Sequence, residues 1–223
     1  MLLYYITDRS QFPGDGHAQR QLLLKKIAEA ARAGVDFIQL REKDLTSREL
    51  ASLARAAMQI LHENSPPDDV TQAGPRLLIN SRVDVALAVG ADGVHLPSGD
   101  LSPSQVHAIW KKSRASQNRP TRPIVTISCH SAADVAEAAA GGADFALFAP
   151  VFEKRGAEQT PAGLDALHAA CRHGIPVIAL GGITLQNADA CMKAGAAGIA
   201  AIRLFQQNNT LQVAETLRQG KHF

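Results

Sequence analysis

The sequence predicts a single (β/α)8 TIM barrel, and three observations support this fold class. The chain has 223 residues, a length typical of single α/β barrels. Short apolar runs alternate eight times with longer Ala- and Leu-rich segments, and this alternation predicts parallel strands joined by helices. The first predicted strand ends in Thr7-Asp8-Arg9 and lacks the Gly-rich turn of the competing doubly wound sheet. We therefore expect one barrel domain over residues 1–223.

Eight strands are predicted, in an order that alternates with the helices. Each run is short and carries few polar residues, as expected for parallel strands that are covered on both faces. The predicted strands are Leu2–Thr7, Asp36–Leu40, Arg76–Asn80, Gly93–Leu96, Ile124–Ile127, Phe145–Phe148, Val177–Leu180 and Gly198–Ile202.

A helix is predicted after each strand, because apolar residues and charges recur there at helical intervals. Thr46–Glu49 fits a capping box, and Ser102 precedes a first-turn proline. Gly34, Gly142 and Gly195 each follow an alanine where a helix should end. The predicted helices are Leu22–Ala33, Arg48–His62, Val83–Val89, Pro103–Ser113, Ala132–Ala140, Leu164–Arg172, Leu185–Ala194 and Leu211–Gly220.

Charge and composition exclude several classes of function. Lys and Arg number 23 against 21 Asp and Glu, so the net charge of +2 lacks the basic excess of a duplex-binding protein. An aromatic content of 4% also disfavours stacking on single strands. The start lacks a signal-peptide pattern, and no apolar run approaches the roughly 20 residues that cross a bilayer. Three widely spaced cysteines are typical of reduced thiols. We expect a cytoplasmic protein without nucleic-acid or membrane partners.

Polar residues follow the predicted strands, at the end of the barrel where such folds place their active sites. Arg41 and Lys43 alternate after the second strand, so both would point to one side and suit a carboxylate or a diphosphate. Alternatively, Glu42 and Asp44 neutralise them at the surface. His130 follows the fifth strand and is the best candidate for proton transfer, because the free pKa of histidine lies near neutrality.

A phosphate site is predicted after the seventh strand. Gly181 and Gly182 would let backbone N–H groups approach an anion at the start of the next helix, unless they form an ordinary tight turn. Barrels often bind phosphate between this loop and the loop after the eighth strand. Gly198 near the eighth strand and Arg203 beyond it fit such a site. His95 at the end of the fourth strand stays undecided between a core residue and a site residue.

Eight short motifs lie along the chain. They are Tyr5-Ile-Thr-Asp8, Gln39-Leu-Arg-Glu-Lys43, Asn80-Ser-Arg82, Ala91-Asp-Gly-Val-His-Leu96, Ser128-Cys-His130, Pro150-Val-Phe152, Ala179-Leu-Gly-Gly-Ile183 and Ala196-Ala-Gly-Ile-Ala200. Their order and spacing resemble the thiamin phosphate synthase/TenI superfamily over nearly the whole chain. The resemblance implies a barrel enzyme of thiamin biosynthesis that binds a phosphorylated thiazole.

The superfamily has two main branches with different chemistry. Synthases join hydroxymethylpyrimidine diphosphate to thiazole phosphate and release diphosphate with the help of Mg²⁺. TenI-like members aromatise a thiazole phosphate carboxylate by moving a proton, and they need no cofactor. We favour the TenI-like thiazole tautomerase, with thiamin phosphate synthase as the alternative and a non-catalytic thiazole phosphate-binding barrel as a second alternative.

The preference depends on where this chain departs from the synthase pattern. Ser81 stands where synthases carry an Asp that helps to hold Mg²⁺, and Glu153-Lys154-Arg155 replaces their Thr-x-Thr-Lys phosphate loop. His95-Leu-Pro97 looks like the TenI form. Asp100 and the Gln39–Lys43 motif look synthase-like, so the motifs are divided between the branches.

The resemblance also implies roles for individual residues. In a tautomerase, His130 would move the proton, and Arg41 and Lys43 would face the carboxylate. In a synthase, Asp100 with a water or Ser81 would support Mg²⁺. The diphosphate would be bound and its charge neutralised by Arg41, Lys43, Asn80 and Lys154. A homodimer is compatible with the sequence, since such barrels often dimerise. The residues predicted to bind substrate or phosphate in one or both cases are Arg41, Lys43, Asn80, Ser128, Lys154, Gly181, Gly182 and Gly198.

Overall fold

The computed structural model describes residues 1–64, 74–114, 122–153 and 160–219. Eight parallel strands pair in chain order, and the first strand also pairs with the last, which closes the sheet. This arrangement confirms the predicted (β/α)8 TIM barrel. The strands are β1 (Leu2–Ile6), β2 (Phe37–Leu40), β3 (Arg76–Asn80), β4 (Gly93–Leu96), β5 (Ile124–Cys129), β6 (Phe145–Phe148), β7 (Val177–Leu180) and β8 (Gly198–Ala201).

Helices follow the strands, and a short 3₁₀ turn at Arg9–Gln11 precedes the first of them. The capping box of Thr46 and Glu49 and the left-handed Gly34, Gly142 and Gly195 are present, as predicted. The helices are α1 (Gly16–Arg32), α2 (Ser47–Glu63), α3 (Val83–Val89), α4 (Pro103–Arg114), α5 (Ala132–Ala140), α6 (Gly163–Ala170), α7 (Ala188–Lys193), α8 (Arg203–Gln206) and α9 (Thr210–Gln219).

Some helix boundaries differ from the prediction. Helix α1 begins at Gly16 instead of Leu22, because the Asp15 carboxylate accepts a hydrogen bond from the Ala18 N–H at 2.8 Å and caps an earlier start. Helix α8 was not predicted and begins directly after β8, where only a loop was expected. Both differences lie on the side of the barrel where the strands end.

The barrel interior is filled with side chains at its amino end. Phe37 lies against Tyr4 and Phe145, with ring centroids 5.6 and 5.1 Å apart, and Leu78 and Leu147 belong to the same buried cluster. The residues that alternate with these pack outward against the helices. Because the amino end is plugged, space for a ligand is left at the carboxyl ends of the strands.

Gln206 of α8 joins the last part of the barrel to the first. Its side-chain oxygen accepts from the Tyr5 hydroxyl at 2.9 Å and from the Asp8 N–H at 3.3 Å, and its Nε2 donates to the Asp8 carbonyl at 2.7 Å. Gln206 is buried, so these bonds fix α8 against the loop that follows β1. Among the described residues, no helix has the length and apolar character to span a membrane.

Candidate functional site

A cavity of about 580 Å³ opens at the carboxyl ends of the strands. Its walls combine apolar residues such as Ile6 and Leu180 with polar residues from five strands or the loops that follow them. The structure brings together seven of the predicted site residues in its lining, namely Arg41, Lys43, Asn80, Ser128, His130, Gly181 and Gly182.

Arg41 and Lys43 present positive charge to this cavity without a described carboxylate partner. The alternative that Glu42 and Asp44 neutralise them is wrong, because both acids pair with Arg9 instead. Arg9 Nη1 lies 3.1 Å from Glu42 and Nη2 lies 2.6 Å from Asp44. In the part of the chain that the structure describes, the two cations are therefore available to an anionic ligand.

Gln39, a polar residue near the end of β2, was not among the residues predicted to bind substrate, and it adds an amide to the cavity. It is 1% exposed and lines the cavity, and its Nε2 donates to Asn80 Oδ1 at 2.9 Å. Asn80 in turn donates to the Ser81 hydroxyl at 3.1 Å, which fixes the orientation of both amides. No described donor reaches the buried Oε1 of Gln39. Buried acceptors are nearly always satisfied, so this oxygen is suited to a donor on a ligand.

His95, left undecided from the sequence, lines the cavity as a buried hydrogen-bonded residue. Its Nδ1 lies 2.9 Å from the Thr126 hydroxyl and its Nε2 lies 2.9 Å from the Ser128 hydroxyl, while Tyr4 contacts Thr126 at 3.1 Å. Burial, and to a smaller degree the charge of Arg41, lowers the pKa of His95 to about 3. The imidazole is therefore neutral near pH 7 and positions Ser128 instead of moving protons.

His130 is held in one orientation at the cavity wall. Its Nδ1 donates to the Ala149 carbonyl at 2.6 Å, so in the neutral ring Nε2 carries the lone pair. Its backbone N–H donates to Asp134, which also forms a capping box with Ser131 at the start of α5. A histidine fixed in this way has the geometry of a general base.

Gly181 and Gly182 both have positive φ values, 101° and 65°. A Cβ at Gly182 would lie 2.6 Å from the Glu153 carbonyl oxygen, so the loop after β7 requires glycine there. The expectation that this pair opens directly into a helix is corrected, because α7 begins only at Ala188. Instead, α8 starts at the cavity, where Arg203 and Leu204 line it. The first N–H groups of α8 have no acceptor within the helix, so they can donate to an acceptor from outside it.

Two predicted residues do not reach the cavity. Gly198 begins β8 at the plugged end of the barrel, where a Cβ would lie 2.2 Å from the Leu2 carbonyl oxygen, so its role there is close strand packing. Asp100 is exposed, is absent from the lining, and accepts a hydrogen bond from the Leu101 N–H at 2.8 Å. Lys154 lies outside the described residues.

The described residues do not by themselves fit a Mg²⁺ site. No group of three or more Asp, Glu, His or Cys side chains lies together in these parts of the chain. Ser81, at the position of the expected acid, has a left-handed backbone with φ of 60° and offers a hydroxyl that is already engaged by Asn80. Mg²⁺ favours carboxylate oxygens, and Asp100 alone does not supply a cage. The Mg²⁺ requirement of a synthase stays a prediction.

Comparisons with known proteins point to one family. A family model described as thiamine monophosphate synthase matches residues 3–205. A putative thiamine-phosphate synthase from Geobacter sulfurreducens is 40% identical over 203 residues, which cover 90% of this chain and 84% of that protein. A thiamine-phosphate synthase from Methanoculleus marisnigri is 35% identical over 205 residues, covering 90% and 85%. The solved thiamine phosphate pyrophosphorylase from Pyrococcus furiosus is 30% identical with a TM-score of 0.76, covering 98% of this chain and 94% of that structure.

Proposed function

This chain belongs to the thiamine monophosphate synthase family, and we propose that it is itself a thiamin phosphate synthase. In this proposal the enzyme joins hydroxymethylpyrimidine diphosphate to thiazole phosphate and releases diphosphate. The relatives that carry the synthase name favour this alternative over the thiazole tautomerase that the sequence motifs favoured.

The observation that carries the proposal is that the Oε1 of Gln39 has no hydrogen-bond partner among the residues that the structure describes. This buried oxygen needs a donor from the ligand, and the exocyclic amino group of the pyrimidine is such a donor. The thiazole ring offers acceptors only. A pyrimidine bound beside Gln39 and Asn80 therefore satisfies a group that a thiazole alone would leave unpaired.

Two separate anion-binding regions support a reaction between two phosphorylated substrates. Arg41 and Lys43 follow β2 and suit the diphosphate, whereas Gly181, Gly182 and the start of α8 suit the single phosphate of the thiazole. These regions are separate in the closed barrel, since β1 lies between β2 and β8, and β7 is one strand further away. The cavity between them holds both heterocycles in the proposed complex.

The proposed reaction breaks one bond and forms one bond without any net proton transfer. The C–O bond between the pyrimidine methylene and the diphosphate breaks, and diphosphate leaves with the bonding electron pair. The thiazole nitrogen then donates its lone pair to the methylene carbon, which forms the C–N bond of the product. The task of Arg41 and Lys43 is to stabilise the negative charge that develops on the leaving group. His130 has no required proton to move in this scheme.

A direct assay tests the proposal. The purified protein is incubated with hydroxymethylpyrimidine diphosphate, thiazole phosphate and Mg²⁺, with and without EDTA, and thiamin phosphate is measured. We expect product that depends on both substrates, and its loss with EDTA would establish the metal requirement. Absence of product from protein that binds thiazole phosphate would contradict the proposal.

The fixed orientation of His130 favours a second candidate, the thiazole tautomerase. Its Nε2 lone pair, set by the bond from Nδ1 to Ala149, suits the proton transfer that aromatises the thiazole carboxylate. The variant His130→Gln separates the candidates, because it should remove most tautomerase turnover, typically a factor of about 10² to 10⁴, and spare synthase turnover. Binding without turnover in either assay would leave the non-catalytic barrel.

A further inference from the structure

Glu42 is a buried carboxylate that lies between the two cavity cations in the sequence but is absent from the cavity lining. It is 6% exposed, whereas Arg41 and Lys43 on either side line the cavity. Side chains of an extended segment alternate in direction, so a residue between two cavity-lining residues points away from the ligand. Neither the cavity nor the proposed reaction uses this charge directly.

The Glu42 carboxylate is bound to the loop that follows β1. Its Oε1 accepts from the Thr7 hydroxyl at 2.6 Å, and its Oε2 accepts from the backbone and guanidinium N–H groups of Arg9 at 3.0 and 3.1 Å. The Thr7 oxygen in turn accepts from the Arg41 backbone N–H at 3.0 Å. A continuous chain of hydrogen bonds therefore runs from the Arg41 backbone through Thr7 to Glu42.

Arg9 also binds Asp44, the residue that follows Lys43 in the chain. Its guanidinium donates to both oxygens of Asp44 at 2.7 and 2.6 Å while it also contacts Glu42, so it bridges the residues on either side of Lys43. The Glu42 side chain is 2% exposed and the Asp44 side chain is 70% exposed. Loss of the Glu42 charge is therefore the more disruptive change, because the Thr7 hydroxyl and the Arg9 N–H donate to it away from water. The ion pair with the exposed Asp44 is screened by solvent and contributes less.

We propose that Glu42 is a positioning residue that fixes the backbone of Arg41 and Lys43 so that both cations meet an anionic ligand with little rearrangement. Binding then costs less ordering of the segment, because the loop after β1 already holds it. The assignment of that ligand as a diphosphate rests on the proposed function, whereas the Thr7–Glu42–Arg9 contacts do not.

The variant Glu42→Gln tests this role, since it keeps the size of the side chain and removes its charge. The probe is inorganic diphosphate, measured by calorimetric titration of the wild type and the variant. We expect the affinity to fall by between about 10-fold and about 100-fold. In the synthase assay, KM for the pyrimidine diphosphate should rise. KM for thiazole phosphate should keep its wild-type value, because the proposed phosphate region follows β7 and β8 and not β2.

Two further variants separate positioning from general destabilisation. Asp36→Asn is the matched control, because the Asp36 carboxylate accepts from the Leu3 N–H at 2.7 Å and links β1 to β2 at the opposite, plugged end. It should lower stability and keep wild-type diphosphate affinity. Thr7→Val breaks the same chain of hydrogen bonds without touching the Glu42–Arg9 ion pair, and it should weaken diphosphate binding even if Glu42→Gln does not fold. Thr7→Ser, which keeps the hydroxyl, should restore wild-type affinity.

The outcomes distinguish this inference from the proposed function. Wild-type affinity for diphosphate in both Glu42→Gln and Thr7→Val would overturn the positioning role and leave the synthase proposal intact. An equal rise of KM for both substrates would also overturn it, because a general structural defect explains such a result. No binding of diphosphate by the wild-type protein would overturn the proposed function itself, and with it the ligand named here.

Discussion

Exchange of His95 for glutamine should make the protein less sensitive to acid. The imidazole is buried and bonded to Thr126 and Ser128, and burial lowers its pKa to about 3. In the unfolded chain the pKa returns to its ordinary value of about 6.5. Between these two values the unfolded state binds a proton that the folded state does not bind. Stability contributed by the neutral histidine is therefore complete above about pH 7 and is lost as the pH falls toward 3.

The size of the effect follows from the two pKa values of His95. At pH 5 an unfolded imidazole with a pKa of about 6.5 is almost fully protonated, and this linkage costs about 2 kcal/mol relative to pH 7.5. For a urea m-value of about 2 kcal/mol/M, the unfolding midpoint should fall by about 1 M from this residue alone. Burial raises the pKa of other groups as well, such as the Glu42 carboxyl. These groups contribute equally to the pH dependence of wild type and His95→Gln, so they cancel when the two proteins are compared.

Urea unfolding followed by circular dichroism at pH 5 and at pH 7.5 measures the prediction for His95. The glutamine variant keeps an amide that can bond Thr126 and Ser128 but does not titrate, so its midpoint should fall by about 1 M less than that of the wild type. His173→Asn, at an exposed histidine, controls for the exchange and should follow the wild type. An identical pH dependence in His95→Gln and wild type would refute the reasoning that burial keeps His95 neutral.

Three further variants test other parts of the barrel. Gly182→Ala should lower stability by about 3 kcal/mol, because the positive φ and the Glu153 carbonyl oxygen 2.6 Å from the new Cβ both disfavour a side chain, and it should weaken the binding of inorganic phosphate in a calorimetric titration. Gly198→Ala should cost about 3 kcal/mol in urea unfolding, since the new Cβ would meet Leu2, and turnover per folded molecule should not change. Gln39→Leu should raise KM for the pyrimidine diphosphate by about 10-fold and leave KM for thiazole phosphate unchanged, as measured in the synthase assay.

The barrel and much of its cavity could be predicted because both follow from local patterns. Strand-helix alternation set the topology, and position at a strand end placed Arg41, Lys43 and His130 correctly at the cavity. Gly198 was wrongly assigned to the phosphate site, although it is the first residue of the predicted eighth strand and therefore lies at the amino end of the barrel. The close approach of the Leu2 backbone explains why glycine is needed there.

Contacts between distant parts of the chain could not be predicted. That Glu42 and Asp44 pair with Arg9, and not with the neighbouring cations, depends on how two loops meet after β1 and β2. That the Gln39 Oε1 has no partner in the described ranges likewise depends on which way Asn80 orients its amide. Residues two apart in a strand point to the same face, so Gln39 points into the barrel like Phe37. This alternation is the sequence signal that could have identified Gln39 as a residue of the site.

The bonds of Gln206 also determine when the site can exist during synthesis. Tyr5 and Gln206 lie 201 residues apart in the chain, so their contact requires closure of nearly the full polypeptide. A nascent chain that still holds α8 inside the ribosome cannot complete the side of the cavity that Arg203 and Leu204 line, even though β1 to β7 have emerged. The complete cavity therefore forms only after α8 has been released, and a chain that stops before Gln206 carries Arg41 and Lys43 without the wall that α8 supplies.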